Sequence, residues 1–157
     1  MVFVPGRIFP RFSGLFLLLF ASSGCSDAIT DPPKALEPLV GAWDARVLEV
    51  PDPANFLETL DVIQEGGSYA LSVLGDGTYS AVFDLVVFQG MEVGTITVSG
   101  QTLTLTPAGS SGGAMTGSFM LEGDVLKVDA LREIDFDGDG TEELVPFYLE
   151  LVSRGKF

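Results

Sequence analysis

Residues 92–106 read EVGTITVSGQTLTLT, and this stretch decides the fold. Apolar and hydroxyl side chains alternate up to Ser99-Gly100, and the alternation resumes with Leu103 and Leu105 set between Thr102, Thr104 and Thr106. Successive side chains of a strand point to opposite faces, so a period of two gives each strand one apolar and one polar face. The glycine between the runs supplies the positive φ that a tight hairpin requires. Two antiparallel strands follow.

The same rhythm extends both ways from this hairpin. It predicts eight strands, at residues 39–50, 68–75, 78–88, 92–98, 101–107, 115–122, 125–136 and 143–153. The pattern is clearest in Tyr79, Ala81, Phe83, Leu85 and Val87, and again in Val145, Phe147, Leu149 and Leu151. Gly75-Asp76-Gly77, Glu122-Gly123-Asp124 and Asp137-Gly138-Asp139-Gly140 have the composition of short turns. A meander of eight strands has two edges to hide, and closure hides both. The expectation is an all-β, eight-stranded antiparallel up-and-down barrel, with a two-sheet β-sandwich as the alternative. One segment departs from period two: Phe56, Leu57, Leu60 and Ile63 fall at helical spacing after Pro51-Asp52-Pro53, with Asn55 placed as an N-cap and Gly66-Gly67 as a stop. It predicts a short helix or ordered loop after the first strand, over one mouth of the barrel.

Ahead of the strands, residues 1–24 have the order of an export signal. Arg7 and Arg11 come first, then the apolar run Phe12 to Ala21, then Ser22, Ser23 and Gly24 before Cys25. The apolar run is about half of the ~20 residues a spanning helix needs. Ser22-Ser23-Gly24-Cys25 resembles a bacterial lipobox, although Ser22 stands where leucine is usual. That resemblance implies cleavage before Cys25, diacylglycerol on its sulfur, and a protein exported and lipid-anchored to the cell envelope. Ser26, in place of an aspartate, implies the outer membrane. It also accounts for a single cysteine in an exported chain, which has no partner for a disulfide. Residues 25–38 then form the lipidated cysteine and a flexible tether, rich in Asp and Pro, and residues 39–157 form the barrel domain.

Composition narrows the function. The chain holds 22 acidic and 8 basic residues, a net charge of −14, and loss of the leader would leave only Lys34, Arg46, Lys127, Arg132, Arg154 and Lys156 as basic residues. Such a surface repels nucleic acid and favours cations. Histidine is absent, so the commonest general base and transition-metal ligand are missing. Gly109-Ser110-Ser111-Gly112-Gly113 lacks the lysine of a phosphate loop and reads as a strand connection. No catalytic set is evident, and the expected class is non-enzymatic.

Gly41-Ala42-Trp43 at the start of the first strand, with Arg154 just past the last, resembles the lipocalin-like (calycin) arrangement. There a Gly-x-Trp opens strand one and a basic side chain from the chain's end packs over the indole. The resemblance spans residues 39 to 154 and implies a barrel of that type in a lipoprotein, without the disulfides of many secreted lipocalins and without a ligand that carries over.

Three further features bear on chemistry. Asp135, Asp137, Asp139, Thr141 and Glu143 resemble the first half of an EF-hand calcium loop, but Pro146 stands where the bidentate glutamate belongs. Calcium is thus the one candidate cofactor, against an acidic hairpin turn. Arg132 shares its phase with Leu126, Val128, Ala130, Ile134 and Phe136, so it points inward. There it needs either an internal acid such as Asp84 or Glu92, or a ligand anion. Tyr69, Tyr79, Phe83, Phe119 and Phe147 are the aromatic candidates for the lumen wall. Eight strands sit at the boundary between filled barrels and ligand-holding ones. Two functions remain: an envelope lipoprotein that binds a small apolar ligand, or a structural lipoprotein with a filled core, calcium-stabilised at residues 135–143.

Overall fold

The computed structural model describes residues 34–86, 89–109, 113–135 and 140–157. Cys25, the leader and most of the tether lie outside them. Nine strands follow one another: β1 (Gly41–Asp52), β2 (Asn55–Asp61), β3 (Ser68–Val73), β4 (Thr78–Asp84), β5 (Gln89–Ser99), β6 (Thr102–Pro107), β7 (Met115–Glu122), β8 (Val125–Ile134) and β9 (Glu143–Gly155). Every neighbouring pair is antiparallel, and β1 and β3 to β9 pair in sequence order. The ladder closes where β9 returns to β1, from Ala42 opposite Gly155 to Glu49 opposite Tyr148. The result is a closed eight-stranded up-and-down barrel, as the alternation predicts. Closure along β1 and β9 excludes the sandwich.

β2 corrects the sequence reading. Where helical spacing predicts a short helix, the chain instead folds back on the overhanging end of β1, pairing Val50 with Leu60 and Pro51 with Thr59. The reversal begins at Asp52, whose Oδ1 accepts the Ala54 N–H at 2.8 Å. Asn55 Oδ1 does accept the N–H two residues on, Leu57, at 3.3 Å, but within extended chain. Leu60 and Ile63 pack against the core. Leu57, 95% exposed, does not, so the spacing had no buried face behind it.

The two ends of the barrel differ. At the base, a single 3-10 turn, Glu37–Leu39, drives Leu36 and Leu39 into the interior, and Leu39 is fully buried. Leu36 lies within the stretch read as tether. Trp43 points inward over this plug and donates its indole Nε1–H to the Leu39 carbonyl at 2.9 Å. Gly41 has φ +143, and a Cβ there would sit 2.6 Å from the Gly155 carbonyl oxygen, so only glycine lets β1 start this close to the end of β9. Arg154 does not cover the indole as the resemblance implies: its Nε meets Asp44 Oδ2 at 3.1 Å on the outer surface. Asp44 follows Trp43 directly, and strand alternation puts the two on opposite faces.

Inward positions from all eight strands form one core above the plug, including Leu71 and Val73 of β3, Ile96 of β5, Leu103 of β6, Leu126 and Val128 of β8, and Leu149 and Leu151 of β9. The opposite end carries the β1–β2 hairpin, the β4–β5, β6–β7 and β8–β9 connections, and the mouth.

Candidate functional site

Towards that mouth the core gives way to a cavity of about 360 Å3. Leu48, Ala81, Leu105, Met115 and Leu149 form its deeper wall, while Leu85, Met91, Ile134, Asp135 and Glu142 border it higher up. Apolar clefts of about 300–1,000 Å3 with a few convergent polar groups are the usual form of small-molecule sites, and this one lies near the lower limit.

The convergent polar groups come from three parts of the wall. Arg132 on β8 reaches across the interior to Glu92 on β5, past the intervening β6 and β7, with Nη2 2.5 Å from Oε2. The other oxygen of Glu92, Oε1, accepts the Tyr79 hydroxyl at 2.5 Å. The side chains of Arg132 and Glu92 are only 16% and 13% exposed, and each charge helps to offset the cost of burying the other. Below this bridge the inward residues of the same strands, Ile96 on β5 and Ala130 and Val128 on β8, belong to the packed core and not to the cavity. On these two strands the bridge thus lies where the packed core meets the cavity.

Tyr69 on β3 completes the cluster. Its ring lines the cavity and stacks on Phe83 with centroids 6.5 Å apart and planes 15° from parallel. Burial pushes the Tyr69 hydroxyl well above the usual phenol range, the Glu92 charge pushes the same way, and Arg132 opposes both. Among the described residues this hydroxyl makes no hydrogen bond. The Tyr79 hydroxyl is raised too, first by burial and then by its bond to Glu92.

Of the residues singled out in the sequence, Arg132, Tyr69, Phe83 and Phe147 meet in the cavity. Two do not line it. Tyr79 lies beneath, only 3% exposed, and touches the site through Glu92, while Phe119 packs against the core nearer the base, towards which β7 runs. Of the two acids offered as partners for Arg132, Glu92 is the one. Asp84 instead accepts the Val86 N–H and the Gln89 side-chain amide in the β4–β5 connection. Met91, Met115 and Glu142 were missed, although inward parity on β7 marks Met115.

Of the calcium candidates, Asp137 and Asp139 lie outside the described residues. Asp135 Oδ2 accepts the Gly140 N–H at 3.1 Å, and Glu143 opens β9 opposite Ile134. No cluster of three or more potential ligands from His, Cys, Asp and Glu occurs among the described residues.

No protein-family model, curated protein or solved structure matches this chain.

Proposed function

We propose that this chain is a non-enzymatic envelope lipoprotein whose barrel binds a small apolar ligand in the cavity at its open end. The observation that carries the reading is the cavity itself: an apolar space of about 360 Å3 beside a packed core, with an ion pair and the Tyr69 hydroxyl at its boundary. A barrel built only as a scaffold gains stability by filling such a space, because empty volume forfeits contacts. Arg132, Tyr69, Phe83 and Phe147 are the contact residues. Among the described residues the lining offers carboxylates, a guanidinium and a phenol but no serine, threonine, cysteine or histidine side chain, which suits holding a molecule more than converting it.

The anchor belongs to the same reading. The leader and Cys25 support export and attachment through lipid, and by resemblance the outer membrane; several acyl chains on one residue give stable attachment. The described chain starts at the plugged base, so a tether from Cys25 joins the barrel opposite its mouth. The Gly41 and Trp43 placement supports a lipocalin-like kinship for the barrel.

Native mass spectrometry of the protein taken from its own envelope tests both parts. The expected spectrum shows acylated Cys25 and a fraction carrying one small apolar molecule; Cys25→Ala loses the acyl mass, and Phe147→Asp, which puts a charge into the apolar lining, lowers the fraction carrying ligand. A wild-type spectrum with neither acyl group nor adduct removes the reading.

A further inference from the structure

The electrostatics of the cavity go further than its shape, and what they add rests on the ligand-binding reading above. Arg132 would be the natural anchor for a fatty-acid carboxylate, but its charge is already met. Glu92 lies against it across the lumen, and the second oxygen of Glu92 is held by Tyr79. Higher up, the carboxylates of Asp135 and Glu142 border the cavity. Among the described residues the lining thus sets three carboxylates against one guanidinium. An anion entering here would lose its hydration shell and find a net negative lining in return. A cationic head carried down to the bridge would meet the Arg132 guanidinium.

The Tyr69 hydroxyl lines the cavity and has no hydrogen-bond partner among the described residues, so it is open to a ligand. With its acidity suppressed by burial and by Glu92, it stays protonated and can donate. A ligand body that shuts this hydroxyl off from water must offer it an acceptor, because a donor sealed in without one costs free energy.

We propose that the cavity selects an amphiphile with a neutral, hydrogen-bond-accepting head, an ester, ketone or aldehyde carbonyl, which takes the Tyr69 hydroxyl while its hydrocarbon body fills the apolar wall. Free fatty acids are excluded by the Glu92 bridge and the acidic mouth.

Calorimetric titration of the protein with three probes of equal chain length tests this: methyl decanoate, decanoic acid and decylamine. At neutral pH the ester is expected to bind at least tenfold more tightly than either charged probe. The gap to the acid should narrow as the pH falls through the carboxyl's own pKa, where the acid becomes neutral. Tyr69→Phe, which keeps the ring on Phe83, should cost the ester about tenfold and leave the amine unmoved. Glu92→Gln, which removes one negative charge from the lining, should narrow the gap between ester and acid. If that variant does not fold, the Tyr69→Phe result still decides. Equal or tighter binding of the acid or the amine by the wild type overturns the selectivity but leaves the carrier reading standing. Failure of all three probes to bind overturns both.

Discussion

Arg132 and Glu92 show how one buried pair constrains both stability and use of the interior. Removing one partner strands the other charge in an apolar surround, which costs about 3 kcal/mol or more. Arg132→Met alone should therefore lose at least that much in urea unfolding, whereas Arg132→Met with Glu92→Met should recover at least half of the loss. Both changes falling equally would mean that the bridge itself holds the barrel together. The tyrosines give a second handle. All three, Tyr69, Tyr79 and Tyr148, hold their protons more tightly than a free phenol; Tyr148 is pushed up to about 12, mainly by donating to Glu150, and the other two lie higher still. A group whose folded pKa is raised contributes stability that is complete below its unfolded value, about 10, and is lost as pH climbs from there towards the folded value. Thermal stability should fall steadily above about pH 10, and tyrosinate absorbance should appear there only in the denatured chain. Folded protein showing tyrosinate near pH 10 would contradict the buried cluster.

Strands were readable from the chain because burial on one side imposes a period of two, and β7, predicted at residues 115–122, runs Met115–Glu122. The connections were readable for a similar reason: Gly100, at φ +62, does what Ser99-Gly100 implies. β2 was not, since a strand exposed on nearly every residue has no buried face to print a period. The coincidental spacing of Phe56, Leu57, Leu60 and Ile63 then filled the gap with a helix. It follows that the outer part of this hairpin tolerates change. Leu57→Lys should move unfolding free energy by no more than about 0.5 kcal/mol, as expected of a surface site. The opposite holds at the base, where Gly41→Ala combines a left-handed φ with a clash on the Gly155 carbonyl. A loss of about 2 kcal/mol or more in a chemical melt is expected there. Trp43, the sole tryptophan, should report on this end by blue-shifted fluorescence that shifts red on unfolding.

For the molecule as a unit, parity told which face each residue occupies but not its height or which strands stand opposite. Arg132 could be placed inside by its phase, yet its partner remained either Asp84 or Glu92 until the stagger of eight strands brought β8 level with β5. The cavity was hidden for the same reason. A filled interior and a hollow one share the same alternation, and only the summed volumes of side chains at each level distinguish them.

The join between β1 and β9 also has a history in time. Arg46 and Glu150, which meet there at 2.6 Å, are 104 positions apart in the chain, whereas β3 to β9 are linked one to the next by local hairpins. Contacts between distant segments form against the entropy of closing a long loop, so sheets that depend on them assemble slowly. The meander is expected to form first as an open, curled ribbon, with the docking of β1 on β9 as the rate-limiting step. Substitutions along that seam would then slow refolding, while those in the β5–β6 hairpin would chiefly hasten unfolding.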